Sequence, residues 1–190
     1  KSLQAIQDAN VVVLIVDSRT GIVEQDLHLL GYVLETGRAL VIALNKWDGM
    51  EQAEKEYVKT EIRRRFTFVD FAKIHFISAL YGTGVGDLYR SIHKAYESAK
   101  RKLATNQLTE ILQDIVTDHA PPVVNSRRIK LRYAHAGGQN PPTIVVHGNH
   151  LSEIKKDYLR YLESFYRKAF DLTGTPLRIE LKNSSNPYDV

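Results

Sequence analysis

The amino-acid sequence predicts an α/β domain, a parallel sheet with helices on both faces, followed by a small α+β domain. In the first half, short continuous apolar runs alternate with segments whose apolar residues recur every three or four positions. In the second half, the pattern changes to an amphipathic helix, strands separated by turn residues, and a second helix. The basic run at residues 100–102 separates the two patterns, so we expect domains at residues 1–102 and 103–190.

Three strands and three helices are predicted in the first half. The runs Val11–Val16 and Ala39–Leu44 are apolar throughout, as is typical of parallel strands buried on both faces, and Lys73–Ile77 is a third, shorter strand. The polar segment Glu51–Arg65 is predicted to be an exposed helix. The apolar stripes of the other two helices contain Leu27, Leu30, Val33 and Leu34, and Leu88, Ile92 and Tyr96. Strands and helices that alternate in this order predict right-handed crossovers and a parallel sheet.

The second half is predicted to have the order α-β-β-α-β. Thr105 is the predicted N-cap of its first helix, and Pro121-Pro122 ends that helix. Turn residues at 137–142 predict an antiparallel hairpin between two strands. The elements predicted after the first helix are Arg128–Tyr133, Thr143–His147, Ile154–Phe170 and Leu177–Leu181. The predicted buried faces contain Leu108, Ile111, Leu112, Ile115 and Val116 in the first helix, and Tyr158, Leu162, Phe165 and Ala169 in the second.

The composition argues against several classes of protein. The chain has 190 residues and no cysteine, so neither a disulfide framework nor a thiolate metal site is expected. No apolar run approaches the length of a membrane span, and we expect a cytoplasmic protein without a membrane partner. The net charge is +4, and after residue 100 there are 13 Lys and Arg against 9 Asp and Glu. This excess favours a polyanionic partner, and a basic solvated face stays open as the alternative.

Two short polar loops follow neighbouring strands of the predicted sheet. Asn45-Lys46-Trp47-Asp48 follows the second strand, and Ser78-Ala79-Leu80 follows the third. Ligands bind outside the carboxyl ends of the strands in parallel sheets, so both loops are expected at one site. Together they resemble N-K-x-D and S-A-x, the two guanine-reading motifs of the Ras-like P-loop GTPases.

The residue types in these motifs suit guanine. Guanine presents N1–H and its 2-amino group as adjacent donors, and Asp48 can accept from both, whereas adenine would leave the carboxylate unpaired. By this interpretation the Ala79 N–H donates to O6, Ser78 braces its loop, the stem of Lys46 covers the purine face, and Asn45 links its loop to a phosphate-binding loop. The predicted nucleotide-binding residues are Asn45, Lys46, Asp48, Ser78, Ala79 and Leu80.

The residues that would bind phosphates are not found in the 190-residue sequence. The string G-x-x-x-x-G-K-[ST], which cradles phosphates and supplies a Mg²⁺ ligand, does not occur, and no D-x-x-G follows an early strand. We therefore predict no catalytic residues and expect that the chain alone does not hydrolyse GTP. A longer parent protein would bind GTP or GDP with Mg²⁺. The alternative is a non-enzymatic RNA- or protein-binding module in which a remnant G domain serves as a scaffold.

Three further segments extend the pattern: Tyr133–Pro142 with the sequence YAHAGGQNPP, His147-Gly148-Asn149, and Asn186-Pro187-Tyr188. With the guanine motifs, they resemble the Der (EngA) family of bacterial GTPases, which have two tandem G domains and a C-terminal KH-like domain. The resemblance covers essentially the whole chain, as the latter part of the second, Ras-like G domain plus the KH-like domain. It implies GTP-dependent assembly of the large ribosomal subunit. The implied partners are that subunit or its rRNA, and the parent's first G domain.

The second half departs from typical KH domains because it has no G-x-x-G loop to clamp nucleic acid. RNA contact is therefore predicted through Arg127, Arg128, Lys130 and Arg132, of which the last three lie on one face of a strand by period-2 spacing. The alternative, that they are the solvent face of a half-buried sheet, stays open. No metal site is predicted, since His147 and His150 are three residues apart without a third ligand nearby.

Overall fold

A computed structural model describes residues 2–124 and 126–184 of the chain. The motif Asn186-Pro187-Tyr188, which forms part of the family resemblance, lies outside these residues. The described chain forms two compact units. Unit 1 contains the residues up to 100 together with residues 173–176, and unit 2 contains residues 101–172 and those from 177 onward. The predicted fold class, a parallel α/β sheet followed by an α+β unit, is confirmed.

Unit 1 is built on a parallel three-stranded sheet in the order β1-β2-β3. Its elements are α1 (Ser2–Asp8), β1 (Val11–Asp17), α2 (Glu24–Thr36), β2 (Ala39–Asn45), α3 (Gln52–Arg65), a 3₁₀ turn (Thr67–Val69), β3 (Lys73–Phe76) and α4 (Val85–Ala99). The three predicted strands and three predicted helices are present within one to three residues of the expected positions. Strand β2 is the central strand, which explains why it is apolar at every position but the last.

Helices cover both faces of this sheet because successive side chains of a strand point to opposite sides. On one face, Leu30 and Val33 of α2 and Ile62 of α3 are buried with Leu40 and Ile42 of β2. The residues buried on the opposite face, which α4 covers, are Ala39, Val41, Ala43, Ile77, Leu88, Ala95 and Ala99. The two apolar layers bury β2 on both faces, and the loops at the carboxyl ends of the strands start from this packed sheet.

Unit 2 has a three-stranded sheet in the order β6-β7-β8. Strands β6 and β7 are antiparallel, as predicted for the hairpin, and β8 runs parallel to β7. The elements of the unit are α5 (Thr105–Asp118), β4 (Val123–Val124), β5 (Arg127–Arg128), β6 (Lys130–Gly138), β7 (Thr143–Asn149), a 3₁₀ turn (Leu151–Glu153), α6 (Lys156–Ala169) and β8 (Arg178–Asn183). The fully buried residues of its core are Leu108, Ile115, Ala134, Ile144, Val146, Leu162 and Tyr166.

Two details of the predicted helices in unit 2 are wrong. The N-cap of α5 is Ala104 without a side-chain hydrogen bond, and Thr105 is already in the helix. The buried face of α6 includes Tyr166 rather than Ala169. A tyrosine can be buried there because its hydroxyl donates to the carbonyl oxygen of Leu108 at 2.8 Å, which satisfies its polar group.

The predicted strand Arg128–Tyr133 is two strands. Arg127–Arg128 pairs with Val123–Val124 in a separate small antiparallel ladder, and β6 begins only at Lys130. Ile129 lies between them and is buried. The period-2 pattern continues across this break in the sequence, and for that reason it could not reveal the change of sheet.

Candidate nucleotide-binding site

The loops that follow β1, β2 and β3 are joined by backbone hydrogen bonds at one edge of the sheet. The Ser18 N–H donates to the carbonyl oxygen of Asn45 at 3.0 Å, and the Ile77 N–H donates to that of Leu44 at 2.9 Å. The Trp47 N–H in turn donates to the carbonyl oxygen of Ile77 at 3.2 Å. These bonds bring the Asn45–Asp48 and Ser78–Leu80 loops together, as the parallel topology predicts.

A cavity of about 280 Å³ opens between these loops. Five of the predicted residues line it, together with one that was not predicted: Asn45, Lys46, Asp48, Ser78, Leu80 and Arg19. The cavity has an acidic, a basic and an apolar component side by side. Leu80 is 81% exposed, which leaves its side chain free to cover a flat ligand, whereas Ser78 is only 2% exposed and belongs to the floor of the loop.

Asp48 has an environment that favours its ionised form. The hydrogen bond from the Ser78 hydroxyl lowers the pKa of Asp48 below its ordinary value, and the positive charges of Arg19 and Lys55 act in the same direction. At neutral pH its carboxylate therefore accepts hydrogen bonds and cannot donate one. An ionised acceptor at the cavity wall is what a ligand with two adjacent N–H donors requires.

Asn45 has a partner that the sequence did not reveal. Its side-chain oxygen accepts a hydrogen bond from the Ala79 N–H at 2.9 Å, so it joins the loop after β2 to the loop after β3. The Ala79 N–H was predicted to donate to a purine O6. When a base binds, the Ala79 N–H would have to donate to both the Asn45 side-chain oxygen and the purine O6, or leave Asn45 for O6.

Lys46 is held by Asp17, the last residue of β1. The Lys46 ammonium donates to a carboxylate oxygen of Asp17 at 2.5 Å, and the backbone of Lys46 has a positive φ of 64°. The other carboxylate oxygen of Asp17 accepts from the Arg19 N–H at 3.0 Å. The Lys46 bond is the main cause that lowers the pKa of Asp17. Asp17 therefore orients the lysine stem at the mouth of the cavity.

Arg19 is the cavity residue that sequence reasoning missed. Its guanidinium lies against Gly49, where a Cβ would come within 2.1 Å of the nearer terminal nitrogen. The absence of a side chain at position 49 thus makes room for a cation beside Asp48. The position of Arg19, two residues beyond the end of β1, was the available signal, because loops at the carboxyl ends of parallel strands line ligand sites.

Two glycines shape the loop after β3. Gly82 and Gly84 have positive φ values of 74° and 77°, which favour glycine, and a Cβ on Gly84 would lie 2.7 Å from the carbonyl oxygen of Phe76. The Ser78 N–H donates to the carbonyl oxygen of Thr83 at 3.0 Å and closes the loop. These glycines therefore determine the shape of the loop after β3.

Replacing Ser78 by alanine is expected to raise the pKa of Asp48 towards its ordinary value. The lowered pKa means that ionisation of Asp48 favours the folded state at pH values above the ordinary pKa. This contribution is lost as the pH falls through the lowered value, so acid unfolding of Ser78→Ala should begin at a higher pH. A carbon-detected NMR titration of the Asp48 carboxyl group measures the change. Ser152→Ala, an exposed serine in unit 2, is the control, and equal titration midpoints in both variants would contradict the assigned hydrogen bond.

The predicted RNA-contacting residues lie in unit 2. Arg128, Lys130 and Arg132 line a second cavity of about 660 Å³, whose apolar wall includes Pro121 and Val123. Arg127 pairs in the same small ladder as Arg128 and is exposed. The Arg132 Nε donates to the side-chain oxygen of Asn149 at 2.7 Å. The basic residues are thus close together, although they do not belong to one regular strand.

Within residues 2–124 and 126–184, no group of three or more His, Asp and Glu side chains is placed to hold a metal ion. Over the same residues, no helix is long and apolar enough to cross a bilayer. A Mg²⁺ ion bound with a nucleotide usually takes its ligands from phosphates and a phosphate-loop hydroxyl, and the phosphate-loop string does not occur in this sequence.

Residues 2–118 match the family described as the elongation factor Tu GTP binding domain. The chain belongs to this GTP-binding domain family. Residues 102–182 match a second family, described as KH-domain-like of EngA bacterial GTPase enzymes, C-terminal. The GTP-binding-domain match includes both loops of the cavity, and the KH-like match includes most of unit 2.

Among curated proteins, the chain is similar to enzymes named GTPase Der. The protein from Saccharophagus degradans is 64% identical over 188 residues, which cover 99% of this chain and 40% of that protein. The protein from Stutzerimonas stutzeri is 65% identical over 189 residues, which cover 100% and 38%. The chain therefore spans about two fifths of the length of these relatives. The predicted resemblance to the Der GTPases is confirmed.

Solved structures show weaker likenesses. A bacterial selenocysteine-specific elongation factor is 26% identical with a TM-score of 0.47, over 51% of this chain and 17% of that chain. Era in complex with MgGDPNP and part of 16S ribosomal RNA is 19% identical with a TM-score of 0.45, over 96% and 67%. Both scores are below 0.5, and neither likeness supports a statement about this chain.

Proposed function

We propose that this chain carries the guanine-recognition part of a GTP-binding switch protein of the Der type, together with its KH-like domain. In this proposal the domains are residues 1–102 and 103–190. The longer protein binds GTP or GDP with Mg²⁺, hydrolyses GTP, and acts in the cytoplasm in assembly of the large ribosomal subunit. Its partners are that subunit or its rRNA and the parent's first G domain.

The observation that supports guanine recognition is the ionised carboxylate of Asp48 at the wall of a cavity that it shares with Ser78 and Asn45. Guanine N1–H and the 2-amino group would donate to the two carboxylate oxygens, and the loop of Ala79 would face O6. The Lys46 stem, oriented by Asp17, would lie over one face of the base.

The same arrangement would reject adenine. Adenine has an unprotonated N1 where guanine has a donor, and it has no 2-amino group. The Asp48 carboxylate would then lose both partners and face an acceptor instead, which disfavours binding of adenine. Sites that hydrogen-bond the N–H groups of a ligand discriminate more strongly than apolar pockets do.

The 190-residue chain is expected to bind guanosine weakly and adenosine more weakly still. Base contacts are present, whereas the sequence has no phosphate-loop string to bind the charged part of a nucleotide. Ligand-detected NMR with guanosine, adenosine and GDP measures both affinity and selectivity. Equal binding of guanosine and adenosine would contradict guanine recognition. A submicromolar Kd for GDP in calorimetry would contradict the weak binding.

The alternative function, a non-enzymatic module with a remnant G domain, predicts a different result in the same experiment. A scaffold has no need of an open, selective cavity, so guanosine should then produce no saturation transfer and no shift of the Ala79 and Asp48 amide signals. RNA binding by unit 2 would persist in both cases. The two functions therefore predict different results for guanosine binding and the same result for RNA binding.

The basic cluster of Arg127, Arg128, Lys130 and Arg132 supports RNA contact by unit 2. All four side chains belong to exposed positions, and three of them surround one cavity. Cations placed along one groove neutralise successive phosphates and release counterions, which makes the affinity salt-dependent. The adjoining apolar wall offers a surface on which an unstacked base could rest.

The double substitution Arg128→Ala and Lys130→Ala is expected to weaken binding to large-subunit rRNA and to reduce the slope of log Kobs against log salt by about 2. Each cation that contacts a phosphate contributes about one unit to that slope. Fluorescence anisotropy over a salt series measures it. Replacing Lys155 and Lys156 by alanine removes the same charge from exposed positions of unit 2 and serves as the control. Equal slopes in the two double variants would favour a merely solvated basic face.

A further inference from the structure

Two imidazole rings meet on one face of the sheet in unit 2. The Nε2 atoms of His135 on β6 and His147 on β7 are 3.1 Å apart, and the ring centroids are 5.1 Å apart. Both rings are partly exposed. Nothing in the proposed nucleotide or RNA chemistry uses this pair, and neither ring belongs to the basic cluster.

The hydrogen bonds determine which nitrogens carry protons. The Nδ1 atom of His135 lies 3.0 Å from the carbonyl oxygen of Ala136, and because a carbonyl only accepts, Nδ1 is the donor. In the neutral ring, the Nε2 atom of His135 therefore carries a lone pair directed at His147. Histidines that bind metal ions usually donate their second N–H to a backbone carbonyl in this way, which fixes the tautomer and the ring direction.

The ring of His147 is also fixed. Tyr133 is its cross-strand partner, and the two rings stack with centroids 4.5 Å apart and an angle of 5° between their planes. His135 is two residues further along β6, on the same face as Tyr133. The Ala136 hydrogen bond thus holds the imidazole of His135, and stacking on Tyr133 holds that of His147, before any ligand binds. Little side-chain entropy therefore remains to be lost on binding.

We propose that His135 and His147 form a two-imidazole site for a first-row transition-metal ion, with Cu²⁺ preferred. Imidazole nitrogens bind such ions at about 2.0–2.1 Å, so two nitrogens 3.1 Å apart subtend about 100° at the metal, between the square-planar and tetrahedral values. His147 would move its proton from Nε2 to Nδ1, so that both Nε2 lone pairs reach the ion. Water would occupy the other positions.

The charged groups on the neighbouring strand limit the affinity and select among ions. Lys182 of β8 pairs with His147 and opposes a cation, whereas Glu180 pairs with Val145 on the same face and favours one. Since no third protein ligand is placed with the pair among the described residues, ions that bind strongly through few nitrogens have the advantage. The Irving–Williams order then predicts Cu²⁺ above Ni²⁺ and Zn²⁺.

Calorimetric titration of the untagged chain with Cu²⁺ at pH 7.5 tests the site. His135→Gln and His147→Gln should each weaken Cu²⁺ binding by at least about tenfold, since loss of an outer partner alone costs that much. His150→Asn is the matched control, because His150 is an exposed histidine near the end of β7, and asparagine tolerates its left-handed φ of 60°. This control should bind Cu²⁺ like the unaltered chain.

Electron paramagnetic resonance of the unaltered chain with one equivalent of Cu²⁺ identifies the metal ligands without relying on whether the variants fold. Hyperfine structure from two equivalent imidazole nitrogens is expected, and each glutamine variant should show at most one. Coordination by a single nitrogen in the unaltered chain, or equal affinities in all four proteins, would overturn the proposal. Because neither His135 nor His147 lines the cavity of Asp48, the outcome is separate from that of guanine recognition.

Discussion

Asp48→Asn is expected to lower the affinity for guanosine by roughly 10- to 150-fold and to raise the affinity for xanthosine. A hydrogen bond to a charged group contributes about 1.5–3 kcal/mol, and each 1.4 kcal/mol corresponds to a factor of ten in Kd. The asparagine amide accepts from N1–H but presents an N–H to the 2-amino group of guanine, so one partner is lost and a donor faces a donor. Xanthine has a carbonyl oxygen at that position, which the amide N–H can donate to.

Competition between guanosine and xanthosine, followed by ligand-detected NMR on the 190-residue chain, measures this exchange. Asp70→Asn removes the same charge from an exposed position of unit 1 outside the cavity and should keep the original preference. If Asp48→Asn leaves the preference for guanosine unchanged, Asp48 does not read the base. The cavity of Asn45, Lys46 and Ser78 would then need another ligand.

Gly148→Ala is expected to destabilise unit 2 by about 3 kcal/mol, the upper end of the usual cost of overpacking. A Cβ at position 148 would lie 2.0 Å from the carbonyl oxygen of Lys130 and 2.9 Å from a methyl group of Leu151. The first of these is backbone in the neighbouring strand β6. Strand β7 is paired on its other side with β8, where the Ser184 N–H donates to the carbonyl oxygen of Gly148 at 2.7 Å. The central strand therefore has no direction in which to move.

Urea unfolding monitored by the amide NMR signals of β7 measures this loss. Gly138→Ala is the matched control, since it lies in the same hairpin and its Cβ would come no closer than 3.8 Å to any neighbour. That variant should unfold within about 1 kcal/mol of the unaltered chain. A Gly148→Ala variant as stable as Gly138→Ala would show that the close approach of β6 and β7 at this position is not required.

The sequence could predict the sheet of unit 1 because its signals are local. Each of the strands Val11–Asp17 and Ala39–Asn45 is a run of apolar residues that differs from the helical segments beside it. A parallel topology then necessarily places the ends of these strands at one edge, so the residues after them could be grouped without a structure. Asp48 and Ser78 were grouped in this way, and they line one cavity.

The contacts that sequence reasoning missed are those that depend on a distant partner. Asp17 orients Lys46, which lies 29 positions away, and the guanidinium of Arg19 lies against Gly49, 30 positions away. The strand break at Ile129 was hidden for a related reason, because alternation of charged and apolar residues continues across it. The spacing of residues in the sequence contains no information about which side chains from distant segments come into contact in the fold.

The order of residues along the chain was sufficient to predict the α/β and α+β fold, the meeting of the two polar loops at one cavity and the antiparallel hairpin. Each of these depends on neighbours in the sequence and on general rules of chain topology. Folding in three dimensions was needed to direct the Ala79 N–H to Asn45 and to bring the two imidazoles of His135 and His147 within 3.1 Å. Such contacts depend on loop closure and on strand register. A shift of one residue in the register would move every side chain of the strand to the opposite face.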